Sequence, residues 1–312
     1  MKRTSSLPRS LVWLLTLSLL PLAASTACKQ GAPVDQAFLA SENAWRVERE
    51  ARLKKPDGWL TLVGLYWLEP GENTVGSDPS NRVVLPEAPG VPPHAGVLVL
   101  EADGSVHAAF ERGSGVLLGD QPATDVRLRT DADPGGPDVL HAGRISFYVI
   151  ERSGRIGIRV KDPEAPTRTQ FKGLQWYPPD PKWRVTGHLE RFAQPRKVEI
   201  STHIGTTELM LAPGVIHFTL NGAELSLTPL ISAPDDTDLF IVFADATSGS
   251  ETYGAGRFLD ATLNPDGTVV LDFNRAYSPP CAFTPHATCP LPPPENVLQI
   301  PIRAGEKFSE HH

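Results

Sequence analysis

The chain has 312 residues and a formal charge of −7 at neutral pH, and it contains no basic cluster with interleaved aromatic residues. This composition excludes a nucleic-acid-binding protein, which needs a positively charged surface to bind phosphates. Without its first 27 residues the chain holds 26 Lys and Arg against 36 Asp and Glu, and it keeps no apolar stretch long enough to span a bilayer.

The N-terminus has the pattern of a secretory signal. Basic residues come first, and the apolar run 11–24 that follows is too short for a comfortable membrane span. Small residues then precede Cys28, which resembles the lipobox of bacterial lipoproteins, although Ser25 stands where Leu is usual. The sequence predicts a signal peptide over residues 1–27, a lipid on Cys28 and a tether over residues 28–34. An ordinary secretory signal cleaved before Cys28 is the alternative.

This N-terminus also predicts where the protein is located. We expect it to be exported and held on the cell envelope through the lipid on Cys28. Lys29 follows instead of the aspartate that favours inner-membrane retention, so the outer membrane is the predicted location. In an oxidising compartment, Cys281 and Cys289 form the remaining even pair and are predicted to form a disulfide bond.

A single helix is predicted over residues 35–56. The segment lacks Pro and Gly until Pro56, and Phe38 and Trp45 lie on one face with Val34 a turn earlier. The turn from Pro56 to Gly58 ends the helix.

Residues 57–162 are predicted to form a β-sandwich. Short apolar runs are separated by turns, of which Asp103-Gly104 is a hairpin signal, and no long helical pattern interrupts them. The predicted strands cover residues 60–68, 82–85, 97–101, 105–110, 116–118, 124–129, 145–151 and 156–161.

A proline-rich linker is predicted over residues 163–183, followed by a second antiparallel meander or barrel-like β-domain over residues 184–308. Asn221-Gly222 is its strongest hairpin signal. The predicted strands cover residues 184–192, 197–203, 208–211, 216–220, 223–228, 239–243, 256–259, 268–273 and 297–302. The fold class predicted for the whole chain is therefore mainly β after one N-terminal helix.

Two motifs carry a family resemblance. Residues 71–81 (GENTVGSDPSN) and residues 272–281 (DFNRAYSPPC), continuing to residue 296, resemble the bacterial family catalogued as domain of unknown function 1684. With residues 173–178 and 247–254 between them, the resemblance covers residues 40–307. It implies an uncharacterised envelope protein with no assigned activity, so no catalytic residue is carried over.

The order and spacing of motifs in the first half also resemble those of a forkhead-associated domain, a β-sandwich that binds phosphothreonine. That family places an arginine after the Thr-Val-Gly turn and a serine-arginine pair before a histidine. Here Ser77 and Pro92-Pro93 occupy those positions, ahead of His94. Because phosphate capture needs the guanidinium and hydroxyl donors, the resemblance implies the sandwich without the phosphopeptide function.

The best candidate for a ligand site is a polar set near the C-terminus, where a strand meets a proline-rich loop. Asp272 and Asn274 are two residues apart, so a strand running through them would place both on one face. The full candidate set is Arg257, Asp272, Asn274, Arg275, Tyr277, Glu295 and Asn296. The alternative is that these side chains only satisfy the backbone of an irregular loop.

The sequence leaves three functions open. The leading interpretation is a non-catalytic lipoprotein that binds a small polar ligand or an envelope partner, whose identity the sequence does not give. An envelope hydrolase would use Asp272 or Glu295 as general base, with Arg257 and Arg275 holding an anionic substrate. The third possibility is a purely structural scaffold.

No cofactor or metal is predicted. Cys281, His286 and Cys289 could ligate zinc, but their spacing matches no standard zinc array. Ser248 and Ser250 lack a nucleophile motif and are interpreted as a flexible turn. The aromatic residues Trp176, Tyr177 and Trp183 are interpreted as an apolar seam between the two β-domains, with a sugar- or lipid-binding cleft as the alternative.

Overall fold

The computed structural model describes Met1 and residues 35–308. The protein is mainly β, with an N-terminal helix followed by several antiparallel sheets, which confirms the predicted fold class. The predicted signal peptide, the lipidation of Cys28 and the tether lie outside the described residues. Within the described part of the chain, no helix is both long enough and apolar enough to cross a membrane.

Helix α1 (Gln36–Leu53) begins where Asp35 accepts a hydrogen bond from the Ala37 backbone N–H at 2.9 Å. The predicted N-terminal helix is therefore present, and it starts one residue later and ends three residues earlier than the range 35–56. Its buried side chains are Glu42, Arg49 and Leu53, whereas Phe38 and Trp45 are only half-buried. The helix is thus held largely by charged contacts in place of the apolar face that the sequence predicts.

The strands of the first half form two sheets. They are β1 (Leu62–Trp67), β2 (Gly71–Gly76), β3 (Val83–Val84), β4 (Gly96–Leu100), β5 (Val106–Phe110), β6 (Val116–Leu118), β7 (Gln121–Pro122), β8 (Val126–Leu128), β9 (Val139–Ala142), β10 (Ile145–Arg152) and β11 (Arg155–Lys161). One sheet has the order β1-β11-β10-β9-β6-β7 and the other β3-β2-β4-β5-β8.

These two sheets enclose one apolar core. Alternate residues of each sheet point inward, for example Leu98 and Phe110 from one and Phe147 and Val160 from the other. The Phe110 and Phe147 rings meet edge to face with centroids 6.1 Å apart. All the strand pairs are antiparallel except β2 with β3, which is parallel. The first half therefore has a sandwich arrangement.

The second half begins with a short helix, α2 (Pro166–Thr169), and continues as strands. They are β12 (Gln175–Trp176), β13 (Arg184–Ser201), β14 (Thr207–Leu220), β15 (Ala223–Leu227), β16 (Asp238–Phe243), β17 (Arg257–Thr262), β18 (Thr268–Asp272) and β19 (Glu306–Lys307). The sheets have the orders β15-β14-β13-β18, β16-β17 and β12-β19.

Isolated bridges connect the first two of these sheets around a second core. Leu263 pairs with Val269 between β17 and β18, and residues 230–231 bridge β16 to β14 through Phe240 and Leu211. Buried Phe218, Phe243 and Phe273 pack inside this ring of strands. The arrangement matches the predicted antiparallel, barrel-like meander.

Two differences from the predicted strands have a common cause. Residues 184–192 and 197–203 were expected as separate strands but lie in the single strand β13, and residues 208–211 and 216–220 both lie in β14. The register shifts between Arg191 and Arg196, so a bulge continues the strand across Pro195. Residues 297–302, also expected as a strand, form none.

No strand pair in the described residues joins the first half to the second half. Residues 35–308 nevertheless lie within one compact unit. A third buried cluster contains Leu62 of the first half beside Ile200, Val242 and Phe258 of the second. The boundary predicted within residues 163–183 stays a prediction.

Candidate functional site

Arg257 is fully buried, and both terminal nitrogens of its guanidinium have acceptors, whereas its Nε atom has no hydrogen-bond partner. Its guanidinium forms an ion pair with Asp245 at 2.7 Å and donates to the backbone carbonyls of Ile302, at 2.9 Å, and of Ala304. These contacts hold the C-terminal segment against the start of β17. Arg257 therefore stabilises residues 302–304, which belong to no strand, through hydrogen bonds to their backbone.

Asp272, Asn274 and Asn296 also bind the protein itself. Strand β18 ends at Asp272 and a 3-10 turn follows, so Asp272 does not share a strand face with Asn274 as predicted. Instead its Oδ1 accepts the Asn274 side-chain N–H at 2.9 Å, while Asn274 also pairs with both backbone groups of Asp180. Asn296 likewise binds both backbone groups of Thr228.

The last three residues of the set point to different places. Arg275 forms an ion pair with buried Glu42 of α1 at 2.9 Å. Tyr277 donates its hydroxyl to Asp260 at 3.1 Å and lies under the Arg49 guanidinium, and burial, followed by the charge of Asp260, raises the pKa of Tyr277. Glu295 is exposed on a 3-10 turn.

The structure thus does not gather the seven candidates into one pocket. Arg275 and Tyr277 line separate surface depressions, and Arg257, Asn274 and Asn296 are buried among backbone groups. Their predicted role in ligand binding stays a prediction, and their observed contacts are structural.

A different set of side chains lines a groove between the two halves, which we call the Arg159 groove. It has a volume of about 490 Å³. The first half contributes Trp59, Arg152 and Arg159, and the second contributes Met210, Phe240, Phe258 and the segment around Thr288 and Cys289. Clefts between packed units, largely apolar with a few polar groups, are where small ligands usually bind.

Arg159 occupies the polar end of this groove because of the alternation along β11. Ile158 and Val160 point into the sandwich core, so Arg159 between them points to the opposite face. Only 3% of Arg159 is exposed, and its guanidinium carbon lies 5.2 Å from the Trp59 ring centroid.

The guanidinium of Arg159 has few partners. One terminal nitrogen donates to the Thr288 hydroxyl at 3.4 Å, and the Nε atom has no hydrogen-bond partner. Among the described residues, no carboxylate forms an ion pair with Arg159, whereas Arg257 has Asp245. Burying a charge without a counter-ion costs free energy. An anion that binds Arg159 from solution would therefore stabilise the folded protein.

Glu208 and Arg152 flank Arg159 along the groove. Arg152 forms a short ion pair with Asp131, at 2.7 Å, and a longer one with Glu208, at 3.8 Å. The Oε1 atom of Glu208 has no hydrogen-bond partner. Burial raises the pKa of Glu208, while the nearby charge of Arg152 opposes that rise. Among the described residues Arg159 therefore forms no direct ion pair, and its charge acts on Glu208 from a greater distance.

The two C-terminal cysteines lie at the edge of the groove. Both are buried, and the Cys281 backbone N–H donates to Sγ of Cys289 at 3.2 Å. They are free thiols in this structure, so the predicted disulfide stays a prediction. Burial lowers the pKa of His286, and no group of three or more His, Cys, Asp or Glu residues within the described ranges is placed to hold a metal ion.

The polar loop with Ser248 and Ser250 is an ordered turn. Ser248 accepts a hydrogen bond from the Asp245 backbone at 3.2 Å, and Ser250 donates to the Thr247 carbonyl at 3.0 Å. Trp183 is buried in the second core, while Trp176 meets Trp45 of α1 edge to face at 5.6 Å. Trp176 therefore packs against the helix.

Sequence reasoning missed the Arg159 groove because its residues are scattered over the chain. The local signal was an arginine inside an otherwise apolar strand, Ile158-Arg159-Val160. That pattern alone suggests a solvent-facing residue, and only the packing of the second half over β11 makes it buried.

The fold and the groove define a mainly β protein with a ligand-sized cleft between its two halves. Residues 169–307 match a family model described as "Protein of unknown function (DUF1684)", and this part of the chain belongs to that family. Residues 40–168, which the motif resemblance also included, lie outside the match.

One solved structure is similar to part of the chain. The solution NMR structure of an uncharacterized protein of Haloarcula marismortui is 35% identical, and the match covers 46% of this chain and 81% of that one with a TM-score of 0.39. A search of curated proteins finds no match.

Proposed function

We propose that this protein is an exported lipoprotein, anchored through Cys28, that binds a small organic anion in the Arg159 groove. The observation that carries the proposal is Arg159 itself, a guanidinium that is 3% exposed, faces a cleft and has no carboxylate partner. Arginine is suited to such a role because its planar donors match carboxylate and sulfonate oxygens.

The remaining lining supports a ligand with an apolar body. Phe240 and Phe258 meet edge to face at 4.8 Å, and Met210 and the prolines Pro280 and Pro290 also line the groove. The cleft thus offers the Arg159 guanidinium and an aromatic wall, which fits an anionic group attached to a ring or a short hydrocarbon chain.

The hydrolase alternative gains no support from these contacts. Asp272 accepts hydrogen bonds from Asn274 and forms an ion pair with Arg184 at 3.6 Å, and Glu295 is exposed on a 3-10 turn. A general base must reach a substrate proton, and of the described residues that line the depression with Arg275 neither Asp272 nor Glu295 is one. We therefore propose binding without catalysis.

The proposal is tested with 8-anilinonaphthalene-1-sulfonate, a fluorescent organic anion with an apolar ring system. It is titrated into the full chain carrying Cys28→Ser, which removes the lipid site and one thiol. Arg159→Gln should weaken binding at least tenfold, because a hydrogen bond to a charged group contributes about 2 kcal/mol. The matched control is Arg155→Gln, an exposed arginine on the same strand that stacks on Trp67.

Stability separates binding from a structural role. If Arg159 serves a ligand, removing its unpaired charge should leave the unfolding midpoint unchanged or raise it. Equal probe affinity for Arg159→Gln and Arg155→Gln would contradict the proposal. So would a large loss of stability in Arg159→Gln, because that would make Arg159 a structural residue.

A further inference from the structure

The thiols of Cys281 and Cys289 lie close together, next to Thr288, which contacts Arg159. Cys281 and Cys289 are 8% and 5% exposed, and they are joined by the hydrogen bond from the Cys281 backbone to the Cys289 sulfur. We infer that oxidation of this pair to a disulfide tightens anion binding in the Arg159 groove. The inference rests on the proposed function and concerns the regulation of that same site.

The mechanical link is Thr288, the residue before Cys289. Its hydroxyl accepts hydrogen bonds from Arg159 at 3.4 Å and from Arg152 at 3.3 Å. Cys289 itself lines the groove. Any change at the Cys289 sulfur is therefore transmitted through one peptide unit to the hydroxyl that positions both arginines.

The direction of the effect follows from the freedom of the loop. In the dithiol state, residues 281–289 have no covalent cross-link and are held by non-covalent contacts, among them the Thr284 hydroxyl to the Leu62 carbonyl at 3.1 Å, the Tyr253 hydroxyl to the Cys281 carbonyl at 3.0 Å and the His203 backbone N–H to the Cys289 carbonyl at 2.9 Å. A covalent closure of this short loop restricts where Thr288 can lie. A site that is already ordered loses less entropy when its ligand binds, so the oxidised form binds more tightly.

The redox step is a thiol–disulfide exchange with an external disulfide, RS–SR. The hydrogen bond from the Cys289 thiol lowers the pKa of Cys281, whereas the same bond and burial raise the pKa of Cys289. The Cys281 thiolate therefore attacks RS–SR first, forms a mixed disulfide and releases RS⁻, which takes up the proton lost by Cys281. Cys289 then loses its proton, attacks the Cys281 sulfur and releases the second RSH. The two cysteines are oxidised and one external disulfide is reduced to two thiols.

The test compares probe binding in the two oxidation states of the Cys28→Ser chain. Oxidised glutathione prepares the disulfide and dithiothreitol prepares the dithiol, and alkylation followed by mass measurement verifies each state. We expect 8-anilinonaphthalene-1-sulfonate to bind the oxidised form at least about fivefold more tightly, within the usual range for coupled sites. Because such coupling is reciprocal, a saturating concentration of the probe should shift the glutathione equilibrium toward the disulfide by the same factor.

Controls distinguish this inference from the proposed function. The double variant Cys281→Ala with Cys289→Ala should bind the probe equally in both reagents, and Arg159→Gln should bind weakly in both. Equal affinity of the two oxidation states, with Arg159 still required, would overturn the regulation and leave the binding site standing. A pair that oxidised glutathione cannot oxidise would overturn it as well. If Arg159→Gln binds the probe as tightly as the parent chain, both the proposed binding site and its regulation are overturned.

Discussion

Two buried arginines show how surroundings decide the role of a side chain. Arg257 and Arg159 are 0% and 3% exposed, but Arg257 has Asp245 and two carbonyls as acceptors while Arg159 has a single hydroxyl. Burial of a charge is tolerated when partners replace its hydration, and it costs free energy when they do not. The proposed binding site therefore rests on Arg159, the arginine with fewer acceptors.

At the same scale, Glu208 should make anion binding depend on pH. Its charged neighbours are Arg152, Asp131 and Arg159, and burial holds its pKa above the ordinary value. When ionised, Glu208 repels an anion in the groove, so affinity for 8-anilinonaphthalene-1-sulfonate should rise as pH falls through the raised pKa of Glu208. Titrations from pH 7 downward should show this rise, and Glu208→Gln should bind more tightly at pH 7 and lose most of the dependence. Glu199→Gln, on the exposed part of β13, is the matched control.

The stability of the same variant has a defined sign. A carboxyl whose folded pKa is raised binds protons more readily in the native state than in the unfolded state. Ionised Glu208 therefore destabilises the fold above its folded pKa, and Glu208→Gln should raise the unfolding midpoint at pH 7. The difference in unfolding midpoint between Glu208→Gln and the wild type should vanish at a pH below the ordinary pKa range of carboxyl groups. An unchanged midpoint at pH 7, with no change in the pH profile of binding, would rule out this role.

The candidate residues show what could and could not be inferred from one sequence at this scale. The alternative stated for the polar set, backbone satisfaction in an irregular loop, describes the contacts of Asn274 and Asn296. The groove was missed because Arg152, Met210 and Thr288 are far apart in the chain and meet only through tertiary packing. Local patterns give the direction of a side chain and do not show which distant segment covers it.

Among the elements, helix α1 is attached by charge. Glu42 is fully buried and pairs with Arg275, Arg49 reaches Glu306 at 3.5 Å and the Ser278 carbonyl at 2.9 Å, and the Arg46 side chain donates to the Tyr177 carbonyl at 2.8 Å. Burial raises the pKa of Glu306, with Arg49 opposing that rise. The position of α1 therefore depends on ion pairs that connect it to the C-terminal segment.

Removing one of these partners should release the helix. Glu42→Ala removes the ion pair with Arg275, whose side chain is 32% exposed, and is expected to lower the free energy of unfolding by about 2 kcal/mol, since a hydrogen bond to a charged group contributes about that much. The control Glu48→Ala removes an exposed carboxylate that pairs with Arg52, and it should cost less than about 1 kcal/mol. Denaturant unfolding measures both, and amide exchange should show residues 36–53 losing protection in Glu42→Ala. Equal effects of the two variants would mean that the helix is held by other contacts.

The elements themselves were largely predictable from local patterns. Asn221-Gly222 forms the turn between β14 and β15, with φ angles of 53° and 83°. Asp103-Gly104 likewise lies between the paired strands β4 and β5. What failed was strand length at prolines, because a bulge in β13 keeps the strand pairing across Pro195, and no local pattern distinguishes a bulge from a break.

At the scale of the whole molecule, we propose a binding protein that is held on the envelope through Cys28. If Cys28 carries the lipid, Cys28→Ser should move the protein from the membrane fraction to the soluble envelope fraction, since no other apolar segment of residues 28–312 predicts a span. Fractionation followed by immunoblotting measures this, with Cys281→Ser as the cysteine control that should stay with the membrane. A Cys28→Ser protein that remains in the membrane fraction would remove the lipid anchor from the account.

The most direct test of the central claim is the position of a bound anion. We would determine the crystal structure of the Cys28→Ser chain with 8-anilinonaphthalene-1-sulfonate and locate the sulfonate. The account predicts sulfonate oxygens within hydrogen-bond distance of Arg159 and Thr288, with the rings against Phe240 and Phe258. A probe bound elsewhere, with the Arg159 groove empty at a saturating concentration, would contradict it.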